Sequence, residues 1–343
     1  MPPRPKKKLK PSKKSIRKSR NKIFAGLAFL LFSSVISAVV AFAYYFAVYP
    51  SAKNAARAIS SQVAGEQTSV IQQPTLKPGS AMLSEPKVQA GVLIDADSGT
   101  VLWAKDAESP RSIASLTKLV TAATFLQFQA KLDTVYRVPN DFNADGQELV
   151  EPGDAISALK LPAGERITYK DLLYTALIGS ANNSAIALGR LISGGSEILA
   201  EKLTAFARKS GARFADLYEP SGLDPRNKAS ALDLAILAHV AFQDSNISQA
   251  SKLPVYNFRS LNGSSFRSVN TNKLLNHTDF EILGAKTGYL QEAGYNLAIE
   301  AERQGHRLVL VFLGSPSSAE RFANAEALLK WAFSAFVWET QNT

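Results

Sequence analysis

The sequence predicts an α+β protein: an antiparallel sheet whose terminal segments pair, flanked by helices, with a helical lobe from the middle of the chain and one transmembrane helix ahead of it. Three observations carry this. Strand-like runs stand at both ends of residues 87–338, helical runs fill the centre between them, and a long uncharged stretch precedes a linker rich in Ser, Ala, Gln and Pro. Strands at both ends with helices between them are accommodated by one sheet whose terminal segments hydrogen-bond to each other.

Residues 1–22 hold eleven Lys or Arg and no acid, within a chain of net charge +10. The remainder is close to neutral, so the basicity belongs to a tail and not to a nucleic-acid-binding face. Residues 23–48 run without one charge. As a helix they reach about 39 Å against a bilayer core of about 30 Å, and Tyr44, Tyr45 and Tyr49 cluster at one end as an interfacial belt. Positive charge on the N-terminal side keeps that side in the cytoplasm and places everything after Tyr49 outside. Ala41-Phe42-Ala43 offers the rival reading, a cleaved signal peptide. The apolar run is far longer than the usual stretch of about 7–15 residues, which favours a retained signal anchor over residues 23–49. Residues 50–86 show no sustained apolar period and read as an extracytoplasmic stalk, which leaves residues 87–340 as the folded domain.

That domain lacks cysteine, which excludes disulfides, thiol catalysis and thiolate metal sites. His239, His277 and His306 lie far apart without H-x-x-x-H or H-x-H spacing, so a zinc site and a Ser-His-Asp triad both lose support. Residues 90–95 and 100–103 read as a hairpin turning at Asp97-Ser98-Gly99. Helical runs follow at 116–128, 169–192, 197–209 and 229–242. Strands return at 295–300 and 307–312, and 319–336 reads as a closing helix.

Ser115-Leu-Thr-Lys118 places a hydroxyl and an amine at i and i+3, one face of a helix, where the amine can take the hydroxyl's proton. The spacing also occurs at Ser15, Ser19, Ser84 and Ser157. Only Ser115 leads into a run, 116–126, that is apolar or Thr nearly all round, the mark of a buried helix. Burial there lowers a lysine's pKa toward the neutral amine a base must be. A helix-capping Ser with a Lys that snorkels to solvent fits this motif equally well. Ser180-Ala-Asn182 stands at a break between helical runs, where a hydroxyl and a carboxamide can share a cleft or simply cap a helix. Lys286-Thr287-Gly288 brings a cation, a hydroxyl and a bare backbone to a strand, which fits either a close-approach ligand site or a solvated edge.

In this order the three motifs form the signature set of penicillin-binding proteins and serine β-lactamases. Ala114-Ser-Leu-Thr-Lys-Leu-Val-Thr-Ala122, Pro220-Ser-Gly-Leu-Asp224, Asn270-Thr-Asn-Lys-Leu-Leu275 and Gly284-Ala-Lys-Thr-Gly-Tyr289 extend the likeness over roughly residues 88–335. The chain resembles the low-molecular-mass penicillin-binding proteins, the D-alanyl-D-alanine carboxypeptidase and endopeptidase family. It departs from the family's usual pattern at Ala181 and Asn183, and because it ends at Thr343 we do not expect the small β-sandwich that many members carry after the catalytic domain.

The resemblance implies the three-layer DD-peptidase/serine β-lactamase fold and a serine-type D-Ala-D-Ala carboxypeptidase acting on peptidoglycan stem peptides. Ser115 would be the nucleophile, Lys118 its base, and Ser180 the relay to the leaving amine. Asn182 would hold the substrate amide, and Lys286 and Thr287 the terminal carboxylate. Gly288 would let the substrate approach the strand closely, and the backbone N–H groups of Ser115 and Tyr289 would form the oxyanion hole. No metal or organic cofactor is expected, and β-lactams would be covalent inhibitors. The localisation that follows is single-pass in a bacterial cytoplasmic membrane, with the catalytic domain outside. A D,D-endopeptidase, a serine β-lactamase and a catalytically silent wall-binding module are the alternatives. For the β-lactamase, Glu219 is the one candidate deacylating carboxylate, but Leu223 stands where an Asn is expected. Residues 141–146 begin like a calcium loop, but Pro152 stands in place of its closing Glu, so a turn-rich insertion at the cleft rim is the reading adopted.

Overall fold

Residues 73–82, 84–128, 131–151, 156–193 and 196–339 are described by the computed structural model. In chain order they form β1 (Gln73–Leu76), β2 (Ala90–Asp95), β3 (Val101–Lys105), β4 (Arg111–Ser112), α1 (Thr117–Phe128), β5 (Val135–Arg137), β6 (Arg166–Thr168), α2 (Tyr169–Ile178), α3 (Asn182–Ser193), α4 (Ser196–Lys209) and β7 (Lys228–Ala229). There follow α5 (Ala231–Phe242), α6 (Ser245–Lys252), β8 (Val255–Arg259), β9 (Ser265–Val269), β10 (Glu281–Leu290), β11 (Gly294–Arg303), β12 (His306–Ser315), α7 (Ser318–Ala335) and β13 (Phe336–Glu339).

The central sheet is antiparallel, in the order β10-β11-β12-β2-β3. The first and last parts of the domain meet where β2 pairs β12, from Leu308 opposite Asp95 to Leu313 opposite Ala90. Successive strand residues point to opposite faces. Val92, Ile94, Val309, Val311 and Leu313 therefore join one core with helices α1 to α6. Leu93, Leu308, Leu310 and Phe312 join another with Phe322, Leu328 and Leu329 of α7. The result is three layers, with β2 buried along its whole length because both faces are covered.

Helix α1 is buried on every side from Thr117 to Phe125, which carries Lys118 into the interior with it. A capping box starts α2: the Asp171 N–H donates to Thr168 Oγ1, and the Thr168 N–H to Asp171 Oδ2. The helical run expected over 169–192 is broken between α2 and α3 by Ser180, whose φ of +58° cannot continue a helix.

Part of the segment expected as a stalk, residues 50–86, pairs with the folded domain. Gln73 to Leu76 pair antiparallel with β13, from Gln73 opposite Glu339 to Leu76 opposite Phe336. The chain then stays on the body, with Trp331 Nε1 donating to Ser80 O. Four residues that include a proline carry too little alternation to read as a strand, and proline is tolerated because the pair is a separate two-stranded edge. The hairpin of β8 and β9, helix α6 and the short pair β5–β6 were likewise not expected. The expected basic tail 1–22, the expected anchor 23–49 and residues 50–72 of the expected stalk lie outside the described residues. Among the described residues no helix is long and apolar enough to cross a membrane.

Candidate active site

Ala114–Leu116 form a short 3-10 turn that runs straight into α1. Ala114 takes φ +47°, an uncommon conformation for a residue with a side chain, of the kind that collects at functional sites. The turn is wedged from two sides. On one, Gly222 (φ +81°) lies so close that an added Cβ would stand 2.0 Å from Ala114 O. On the other, a Cβ on Gly288 of β10 would reach within 3.2 Å of Ser115 N. β10 is the sheet's edge strand, so part of its backbone hydrogen-bonding capacity is open toward the cleft.

Ser115 is half-buried and Lys118 is fully buried. Lys118 Nζ lies 2.8 Å from Ser115 Oγ and 2.6 Å from Asn182 Oδ1, and it also donates to Ser221 O. Burial pushes Lys118 down to about 7, against the opposing pull of the Glu219 carboxylate. A neutral amine has two N–H bonds and one lone pair. Asn182 and Ser221 offer only acceptors for the two N–H bonds, which aims the lone pair at the Ser115 hydroxyl. The snorkelling alternative for Lys118 is excluded by its burial.

Ser180, at the break between α2 and α3, accepts from Lys286 Nζ at 2.8 Å. Lys286 Nζ also donates to Thr287 O at 3.0 Å, and Thr287 Oγ1 lies 2.6 Å from Thr271 Oγ1. Lys286 is buried, and among the described residues no carboxylate hydrogen-bonds to it. Burial first, then the charges of Lys118 and Arg321, push its amine well below the ordinary lysine range. Asn182 and Thr287 are buried as well, while the Tyr289 ring is exposed and meets Tyr295 at a tilt, with ring centroids 4.4 Å apart. The structure thus joins all three motifs through hydrogen bonds, from Lys118 to Ser115 and Asn182 and from Lys286 to Ser180, beside the edge strand β10.

Two contributors escaped the sequence reading. Arg321, in the first turn of α7, donates from Nη1 to Gly288 O at 3.1 Å and to Asn296 O at 3.0 Å, tying β10 to β11 just behind the motif. Burial lowers it to about 10. Asn296 on β11 donates to Ser112 O and accepts from the Gly314 N–H, which fixes the approach to the Ser115 turn. Neither side chain lies in a local pattern that singles it out, since each works across strands distant in sequence.

The calcium-like stretch is committed elsewhere. Arg190 grips Asp145 through two bonds of 2.8 and 2.6 Å, and Asn143 closes on the Leu161 backbone at 2.6 and 3.1 Å. Among the described residues no group of three or more acidic or histidine side chains could hold a metal. The deacylating carboxylate considered at Glu219 is also occupied: its oxygens accept from the Ser221 N–H and Oγ–H at 2.6 Å and from the Gly222 N–H.

The family described as D-alanyl-D-alanine carboxypeptidase matches residues 79–317. The chain belongs to that family. It is 29% identical over 253 residues to the D-alanyl-D-alanine carboxypeptidase DacD of Escherichia coli, covering 72% of this chain and 63% of the relative. It is 30% identical to a D-alanyl-D-alanine endopeptidase of Pseudomonas aeruginosa, over 77% of this chain and 83% of the relative. The chain thus spans a little under two thirds of the length of the first carboxypeptidase relatives it matches. A Streptomyces DD-transpeptidase shares the fold at a TM-score of 0.67 and 25% identity, over 74% of this chain and all of that one. The D-alanyl-D-alanine carboxypeptidase of Mycobacterium tuberculosis does so at 0.66 and 25%, over 76% and 96%.

Proposed function

We propose that this chain is a serine-type D-Ala-D-Ala carboxypeptidase that trims peptidoglycan stem peptides through a Ser115 acyl-enzyme. The observation that carries this is the buried amine of Lys118, 2.8 Å from Ser115 Oγ with acceptors for its two remaining N–H bonds. Lys118 takes the Ser115 proton as the oxygen attacks the carbonyl of the penultimate D-Ala. The developing oxyanion lies between the N–H groups of Ser115 and Tyr289, in the gap that Gly288 keeps narrow. Asn182 orients the peptide with its Nδ2, because its Oδ1 is held by Lys118. Lys286 and Thr287 receive the terminal carboxylate, which supplies the negative partner the buried Lys286 lacks among the described residues. Ser180, bonded to Lys286, relays to the departing D-Ala amine the proton that Lys118 took from Ser115. Water then opens the acyl-enzyme. β-Lactams acylate the same serine. No step calls for a metal or organic cofactor.

The uncharged run 23–49 and the basic tail before it support a single-pass anchor, with the tail in the bacterial cytoplasm and the enzyme facing the wall. On this reading residues 50–72 are the stalk and the peptidase domain begins by Gln73.

A D,D-endopeptidase that separates cross-linked peptides is the second reading. It is favoured by the broad coverage of the Pseudomonas endopeptidase and by the same catalytic groups serving either substrate. Purified muropeptides decide between them. Free D-Ala from pentapeptide monomers supports the carboxypeptidase, conversion of cross-linked dimers to monomers assigns the endopeptidase, and unchanged muropeptides with a folded protein exclude both.

A further inference from the structure

Residues 219–224 form a loop folded around the side chain of its own first residue. Glu219 Oε2 accepts from the Ser221 N–H and Oγ–H at 2.6 Å each. Oε1 accepts from the Gly222 N–H, the Asp224 N–H at 3.3 Å and Asn227 Nδ2 at 3.1 Å. So tied, the loop presents two successive carbonyls to α1: Pro220 O accepts from Thr121 Oγ1 at 2.8 Å, and Ser221 O accepts from Lys118 Nζ. Its next residue, Gly222, rests on the backbone of Ala114 and Ser115. One carboxylate thereby shapes the segment that touches both the nucleophile's backbone and the base's amine. It touches neither Ser115 nor Lys118 itself.

We propose that Glu219 is the positioning residue of the general base: its carboxylate folds the 219–224 loop so that Ser221 O takes one N–H of Lys118 and turns the amine's lone pair toward Ser115. The inference rests on the reading of Ser115 and Lys118 as nucleophile and base. Glu219 acts in two separable ways. Its two oxygens set the loop's shape, and its charge, close to Lys118, opposes the effect of burial and favours the ammonium form. A glutamine keeps the size of the side chain but loses the charge, and whichever way it is turned its NH2 faces at least one backbone N–H, which is also a donor.

The test is the rate of acylation by a fluorescent penicillin from pH 5 to 9, with full-length parent, Glu219→Gln and Glu219→Asp proteins in detergent, each checked by a thermal melt. Glu219→Gln is expected to lose about tenfold or more of the plateau rate and to move its rising limb about one unit toward lower pH, because a negative charge beside the amine is gone. Glu219→Asp keeps the charge and shortens the reach, so its limb stays and its plateau falls. A Glu219→Gln plateau within about twofold of the parent overturns the proposal. So does a fallen plateau with an unmoved limb, which is what a merely loosened loop gives. Should Glu219→Gln not fold, the aspartate variant carries the test, and an unchanged plateau in it overturns the proposal. A parent protein that is not acylated at all overturns the reading of Ser115 and Lys118 instead, and this inference with it.

Discussion

Lys118 Nζ stands 2.8 Å from Ser115 Oγ, with the amine sealed in the core and the hydroxyl at the cleft. The pairing follows from two features of one segment. The i, i+3 spacing brings the groups together, and the apolar surface of α1 denies the amine the water that would keep it charged.

The first consequence is a pH profile. Burial holds Lys118 at about 7, so the neutral form is scarce below that value and dominant above it. Acylation of Ser115 by a penicillin should rise about tenfold per pH unit up to pH 6 and level off above about pH 8. Stopped-flow or gel-based labelling across this range checks it, and a rate that does not change between pH 5.5 and 8.5 contradicts it.

Lys286 leads to a second prediction, of opposite sign. In the free protein its amine is biased toward the neutral form by burial and by the nearby charges of Lys118 and Arg321. A bound carboxylate favours the ammonium, so binding of a D-Ala-D-Ala peptide should take up a proton and weaken as pH rises. Titration calorimetry of Ser115→Ala in two buffers of different ionisation enthalpy measures the proton count. Binding without proton uptake removes Lys286 from the carboxylate site.

Burying Lys118 also costs stability. Its folded value, about 7, lies below the unfolded lysine value of 10.5, so the unfolded chain binds the extra proton between these limits and stability rises with pH across that window. Below pH 7 the full cost applies, on the order of 5 kcal/mol. Lys118→Met removes this cost but leaves Asn182 Oδ1 and Ser221 O without their donor, a loss of about 1–3 kcal/mol for each that does not depend on pH. The stability of the inactive variant relative to the parent should therefore fall by about 4 kcal/mol from pH 6 to pH 10. Urea melts at the two pH values read the change, and a difference that is the same at both contradicts it.

A fourth prediction concerns where the domain begins. A soluble fragment starting at Gln73 retains the β1–β13 ladder and the bond from Trp331 to Ser80, whereas one starting at Lys87 loses both and uncovers Phe336. The longer fragment should melt several degrees higher, by about 4–8 °C for each kcal/mol in a small domain and less in one of this size. Equal melting temperatures would show that the strand adds nothing to the fold.

Much of the site was legible because its parts are local. Ser115 and Lys118 are joined by a helical turn, Lys286 to Gly288 by one strand, and the burial of α1 by an apolar run with no polar stripe. The sheet was legible where whole strands are apolar, as in β2 and β12, and the pairing of the two followed from helices lying between them. Two kinds of feature escaped. Short pieces such as β1 or the β8–β9 hairpin are fixed by the partner they pair with, not by their own period. Arg321, Asn296 and the grip of Glu219 on its loop depend on atoms brought together from distant segments, and no spacing within the chain announces them.

The most direct test of the account is to incubate the full-length protein and its Ser115→Ala variant with a fluorescent penicillin and to examine both by gel and intact mass. One covalent adduct on the parent and none on the variant is the expected result. A parent that stays unlabelled while folded, or a variant labelled as strongly as the parent, would contradict it.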